Sequence, residues 1–349
     1  MKAYFQKRIL KFKSPVGTSR GILHHKPSWF LYLYDEDEPQ MKGIGECSII
    51  PGLSIDDENK IEDVLTNICL KINNREFDFT IPLYNYPAVN FAVETSLLDY
   101  KTGGLRKLFP SKFIEGEEGI SINGLIWMGD LESMRNQVEK KIEEGFRCIK
   151  LKVGAIETEK ELELISDIRS RFNTKELEIR VDANGAYSYE DAMLILKKLS
   201  KFDIHSIEQP IMPSQIQNMA KLCQESPVPI ALDEELFGIH PFSNKRKLID
   251  LIRPQYLVLK PSMLGGIKET TDWIIIANEF GIDWWVTSAL ESNIGLNAIA
   301  QWVYSMENSV THGLGTGNLY EENVISPLVL KGDKLFYDSE KNWDYEFVF

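Results

Sequence analysis

From about residue 120 onward, short apolar or β-branched runs recur at intervals of roughly 25 to 30 residues, the length of one strand, one crossover helix and two short loops. They fall at 121–127 (SINGLIW), 148–153 (CIKLKV), 178–183 (EIRVDA), 206–209 (SIEQ), 229–234 (PIALDE), 256–260 (YLVLK), 283–288 (DWWVTS) and 310–314 (VTHGL). Segments of helical period lie between them. In 130–144, Leu131, Met134, Val138 and Ile142 are spaced by three and four, and Gly145 follows as a cap. Eight such strand and helix units predict an α/β fold, a closed (β/α) barrel of the TIM type. An open doubly wound sheet normally has fewer strands and a glycine-rich phosphate turn after the first, and none follows SINGLIW.

The first 115 or so residues have a different pattern. Runs at 3–12, 30–34 and 42–48 suggest an antiparallel sheet, and 88–100 (AVNFAVETSLLDY) suggests a well-buried helix. The chain end from 326 alternates apolar and polar residues as a hairpin does. The expected organisation is an α+β capping domain over 1–115, a barrel over 116–325, and a segment 326–349 that returns to the capping domain. A length of 349 residues suits a barrel of about 250 residues with a smaller unit.

Composition narrows the partners. Hydrophobic residues at 43% and charged residues at 26% are ordinary for a folded globular chain. A net charge of −13 argues against nucleic acid, whose binding draws on clustered Lys and Arg. An anionic substrate must therefore find local positive charge. Cys47, Cys69, Cys148 and Cys223 form no CxxC pair, which fits reduced thiols and a cytoplasmic location. The N-terminus interleaves charges with apolar residues, unlike a signal peptide, and no apolar run is long enough to insert in a membrane. The oligomeric state is not legible.

The strand ends carry an unusual load of charge: Lys150 and Lys152 on the second, Asp182 on the third, Glu208 on the fourth, Asp233 on the fifth and Lys260 on the sixth. In a β/α barrel all the carboxyl ends open onto one face, so these six side chains converge. Any one alone is weak, because a strand-end acid is more often a helix cap. Three carboxylates without His or Cys suit Mg²⁺, with Mn²⁺ as a substitute, better than zinc. In IKLKV the period of two puts Lys150 and Lys152 on one face. On an edge strand that face would be solvated; in a closed barrel the other, apolar face is needed against the helices, so the lysines look inward. Nearby cations and partial desolvation are expected to lower a lysine pKa towards the range of a general base. Three carboxylates, one divalent ion and three ammonium groups sum to about +2, enough to neutralise a dianion. The arrangement suits proton abstraction beside a carboxylate, where the enediolate needs charge already in place.

KLK at 150–152, DAN at 182–184, IEQP at 207–210, LDEE at 232–235 and LKPS at 259–262 together resemble the enolase superfamily, in its muconate-lactonizing subgroup. INGLIWMG at 122–129, TSRG at 18–21 and SALESNIGLNAIAQ at 288–301 are similar to its o-succinylbenzoate synthase family. The resemblance implies a Mg²⁺ enzyme of menaquinone biosynthesis that removes water from a small cyclohexadiene carboxylate. It implies Lys152 and Lys260 as the catalytic pair, Asp182, Glu208 and Asp233 as metal ligands, and Lys150 as an electrostatic helper. Substrate contacts are expected from Ser19 and Arg20 beside Thr18, from the turn at Pro51, Gly52 and Leu53, and from Ser288, Glu291 and Ser292. Arg20 could equally be a solvated loop residue and Ser292 a helix cap. Dipeptide epimerase or N-succinylamino-acid racemase chemistry uses the same lysines. Dipeptide epimerases, however, usually carry an acidic DxD after the eighth strand, where this chain reads GLGTGN at 313–318. A non-catalytic binding barrel is the more distant alternative.

Overall fold

A computed structural model describes residues 1–18, 21–154 and 157–344. The chain begins with two long antiparallel strands, β1 (Lys2–Thr18) and β2 (Gly21–Tyr34), followed by β3 (Lys42–Ser48) on the other side of β2. The hairpin register runs from Lys2↔Tyr34 to Lys11↔His25, shifts, and resumes from Val16↔Leu23 to Thr18↔Gly21. The first two strands thus reach far beyond the short runs expected from sequence. Ser19 and Arg20, between the two strands in sequence, lie outside the described residues.

Two helices pack on this sheet, α1 (Ile61–Asn73) and α2 (Pro87–Lys101). Proline in the first turn starts α2 without losing a hydrogen bond, and Asp56 accepts from the Ala88 amide at 3.1 Å. The strand and helix backbones nearly touch: a Cβ on Gly45 would lie 2.0 Å from the Ala92 carbonyl oxygen. Only glycine permits that approach. The cap core consists of Trp29, Leu31, Leu33, Ile61, Leu65, Val89 and their neighbours.

A short strand β4 (Ile120–Ser121) leads into a parallel sheet formed by β5 (Gly124–Ile126), β6 (Cys148–Lys152), β7 (Glu178–Asp182), β8 (Ser206–Glu208), β9 (Ile230–Leu232), β10 (Tyr256–Leu259) and β11 (Asp283–Val286), each paired with the next. The crossovers are α3 (Leu131–Glu143), α4 (Thr158–Arg171), α5 (Tyr189–Leu199), α6 (Ile216–Glu225), α7 (Phe242–Ile252) and the pair α8 (Pro261–Leu264) and α9 (Gly266–Phe280). Asp130 caps α3 by accepting from the Ser133 amide at 2.8 Å, and Met134 and Val138 of the expected stripe are buried. Helix α10 (Asn293–Ser305) follows β11.

The first expected strand is interrupted, giving β4 and β5. The eighth, at 310–314, is no ladder. It is reduced to single bridges from His312 to Ile122 and from Gly313 to Thr287. Ile122 lies just before β5 and Thr287 just after β11, the two outer strands of the sheet, so these bridges link its two ends and close the ring.

A final hairpin, β12 (Leu328–Lys331) and β13 (Lys334–Tyr337), pairs with β4 at the entrance to the barrel rather than with the cap sheet, as its sequence had suggested. The return to the cap is made elsewhere. Lys13 donates to the Leu319 carbonyl, Glu321 donates to that of Lys11, and Trp343 packs with Phe30, Tyr32 and Ile44. Leu10, Phe12 and Val16 of β1 join Met263, Ala289, Leu290 and Tyr320 in an apolar cluster that seats the hairpin over the barrel mouth. No helix among the described residues is long and apolar enough to cross a membrane, and all four cysteines are free and buried.

Candidate active site

Strand register sets the chemistry. Lys152 on β6 pairs with Asp182 on β7, and Asp182 pairs with Glu208 on β8, so three charged residues stand in one row at the carboxyl ends. Lys150, two residues earlier, shares their inward face. Its Nζ donates to Asp182 Oδ2 at 3.0 Å and to both Glu208 oxygens at 3.2 and 3.0 Å. Lys152 Nζ donates to Asp182 Oδ2 at 2.6 Å and to Asn184 Oδ1 at 2.7 Å. Just past β10, Lys260 donates to Asp233 Oδ2 and lies 5.7 Å from the centre of the Phe237 ring. Asn184 Nδ2 donates to Glu234 Oε1 at 3.0 Å, linking the two sides.

Lys150, Lys152 and Lys260 line one cavity of about 180 Å³, together with Asn184, Glu234 and Ser288. Its apolar wall includes Pro51 and Leu53 from the cap and Trp127, Leu290 and Leu319 from the barrel. The second cap turn expected from sequence is therefore at the mouth. Ser288 reaches the cavity, whereas Glu291 and Ser292 are fully buried behind it. Even the Ser288 hydroxyl is engaged: it donates to Glu291 Oε2 at 2.6 Å and accepts from Thr316 at 2.8 Å and the Leu290 amide at 3.0 Å. Glu291 and Ser292 stand behind the residues that line the cavity.

Sequence reasoning did not single out Asn184 or Glu234. Both stood inside quoted motifs, DAN and LDEE, one or two positions from a named acid. That adjacency was the signal.

Burial opposes ionisation of Asp182, but Lys150 and Lys152 outweigh it and hold the carboxyl well below the usual range. Burial alone would lower Lys150 and Lys260. The carboxylates around them, Asp182 and Glu208 for the first and Asp233 for the second, instead push both upward. For these two lysines the contact with an acid outweighs burial.

Among the described residues, no three His, Cys, Asp or Glu side chains already surround a common point as metal ligands would. The shared cation expected of Asp182, Glu208 and Asp233 is thus not preformed, since the lysines hold the acids. The donor chemistry nevertheless fits a hard divalent cation. Asp233 Oδ1 and Glu234 Oε2 are buried with no hydrogen-bond partner. Burial and neighbouring Glu234 raise the Asp233 carboxyl, and burial and Asp182 raise that of Glu208. Such acids gain most from a cation.

A capped β/α barrel with three lysines on one cavity, each bonded to an acid from a neighbouring strand end, defines a class, and a family profile described as enolase C-terminal domain-like matches residues 133–335. The chain belongs to that family, and with it to the enolase superfamily. More particularly, it is 44% identical to an o-succinylbenzoate synthase of Desulfotalea psychrophila, over 96% of this chain and 98% of that protein. The crystal structure of MenC from Desulfotalea psychrophila LSv54 superposes with a TM-score of 0.85 at 40% identity, covering 96% of this chain and 99% of that one. The L-Ala-D/L-Glu epimerase of Bacillus subtilis shares the fold, with a TM-score of 0.81 at 18% identity over 97% and 96% of the two chains.

Proposed function

We propose that this chain is a carbon–oxygen lyase, an o-succinylbenzoate synthase that dehydrates 2-succinyl-6-hydroxy-2,4-cyclohexadiene-1-carboxylate with Mg²⁺. The observation that carries the reading is the placement of Lys152 and Lys260 on one cavity, held against acids from neighbouring strands. Nearly full-length similarity to a synthase supports the substrate.

The Lys152 nitrogen is held by Asp182 and Asn184, which leaves its third position for the substrate, and the side chain lines the cavity. As the free amine, Lys152 takes the proton beside the ring carboxylate. The electron pair passes through the enediolate, the hydroxyl leaves, and the proton returned by Lys152 completes water, so the lysine ends as it began. Lys260, anchored on Asp233 over the Phe237 ring, keeps a positive charge near the developing anion. Asp182, Glu208 and Asp233 would hold Mg²⁺, which supplies further charge to the reacting carboxylate. Lys150 offsets the charge that Asp182 and Glu208 share. The glycines of residues 313–318 supply no acid for a substrate amine, which weighs against dipeptide epimerisation.

Purified protein with Mg²⁺ should convert the cyclohexadiene precursor to the aromatic product, followed by absorbance, and Lys152→Ala should cut kcat by about a thousandfold or more. Absence of product beside racemisation of N-succinyl amino acids would transfer the chain to the racemase reading.

A further inference from the structure

The two domains meet through a buried string of polar groups outside the catalytic row. Glu46, on cap strand β3, is fully buried and accepts four hydrogen bonds. One comes from Ser28 on β2 at 2.9 Å. The other three come from the start of α10 in the barrel: the Ser292 amide at 3.0 Å, the Ser292 hydroxyl at 2.6 Å and the Gly295 amide at 3.0 Å. A cap-domain carboxylate thus closes the N-terminus of a barrel helix, where unpaired amides and the helix dipole favour negative charge.

The residue before Ser292 continues the string. Glu291 accepts from Ser262, two positions beyond Lys260, from Ser288 at 2.6 Å and from the Ala289 amide at 2.9 Å. Ser288, Ala289 and Leu290 line the cavity. Leu290 holds a left-handed φ of 62°, a conformation that costs an L-residue energy unless its surroundings impose it. Space is equally constrained, since a Cβ on Gly295 would lie 2.8 Å from Glu291 Cβ and 3.0 Å from Glu46 Oε2. On the cap side, Lys26 is fully buried and donates to Ser48 and, at 3.2 Å, to Ser28, which turns the Ser28 proton towards Glu46.

We infer that Glu46 is a positioning residue for substrate binding: it ties the seating of the cap to the shape of the cavity wall at Ser288–Leu290, acting through Ser292, Gly295 and Glu291. Burying a carboxylate across a domain boundary is costly, and an apolar contact would hold the domains together as well or better. What the carboxylate adds is direction, because its four acceptor sites admit one placement of the α10 N-terminus. The kinetic consequence rests on the dehydration reading; the structural consequence does not.

Glu46→Gln tests this, since it keeps the shape but turns an amide NH₂ towards donors on Ser292 or Gly295. Hydrogen exchange should accelerate about tenfold or more across residues 288–295, the scale of losing a hydrogen bond to a charged group, while residues 178–182 keep their protection. KM for the precursor should rise about tenfold, with kcat within about threefold of the parent, because the ammonium groups of Lys152 and Lys260 are held by Asp182, Asn184 and Asp233, outside this string. Ser28→Ala, which removes the cap-side donor to Glu46 and leaves the Ser292 hydroxyl capping α10 through the Ile294 amide at 3.2 Å, should reproduce a smaller version and decides the matter if Glu46→Gln does not fold. Unchanged exchange at 288–295, or loss spread evenly over the barrel, overturns the inference. If the parent enzyme turns nothing over, the activity reading fails while the exchange result still judges Glu46.

Discussion

Asn184 shows how a neutral side chain can set the aim of a charged one. It accepts from Lys152 at 2.7 Å and donates to Glu234 at 3.0 Å, so the position of the Lys152 nitrogen depends on both sides of the site. Asn184→Ala should lower kcat on the order of tenfold to a hundredfold with KM changed by less than about threefold, as steady-state kinetics will show; unaltered kcat would remove Asn184 from the positioning of Lys152. The charged members of the site were legible because charge at inward strand ends is costly and therefore informative. Asn184 and Glu234 were less so, since an amide or a second acid beside a first reads equally well as a turn residue. Glu291 and Ser292 illustrate the reverse. Their position after the seventh strand suggested substrate contact, and only the packing reveals that their polar groups are spent on Ser262, Ser288 and Glu46.

At the level of elements, the repeat of strand and helix was readable because each unit must bury an apolar face at its own period. The eighth unit was misread in degree: VTHGL has the composition of a strand, but its glycine and the adjacent turn leave two bridges in place of a ladder. His312 compensates. It is buried, and its Nδ1 accepts from the Val286 amide at 3.1 Å, tying the eighth position to β11. Burial, aided by the charge of Arg180, pushes its pKa down from 6.5 to about 4. The unfolded chain therefore takes up this proton first as pH falls, so the stabilising contribution is complete above pH 6.5 and drains away towards pH 4. The loss amounts to at most roughly 3 kcal/mol. Thermal melts between pH 7 and pH 4.5, run beside His312→Asn, should show a shallower acid slope in the variant; parallel slopes would dismiss His312 as the acid-sensitive closure. The extent of the β1–β2 hairpin was missed for a related reason. Residues 12–18 and 21–26 mix Lys, Ser, Pro and His with few apolar side chains, and their strand conformation comes from mutual pairing and contact with the barrel mouth, not from local pattern.

For the whole molecule, a chain with a net charge of −13 encloses a cavity edged by three lysines, and the cap closes over it through an apolar cluster and the Glu46 string. That a second domain was present could be read from the change of pattern near residue 115. How the chain end divides between barrel and cap could not, because pairing partners of a terminal hairpin are set by tertiary geometry. The central physical claim is that barrel closure brings carboxylates from β7, β8 and the end of β9 to one divalent cation beside two lysines. Crystals grown with Mn²⁺ and measured by anomalous scattering test it most directly. The expected result is a single strong peak bounded by the carboxylates of Asp182, Glu208 and Asp233, with Lys152 and Lys260 on either side; a peak elsewhere, or none at saturating Mn²⁺, would contradict it.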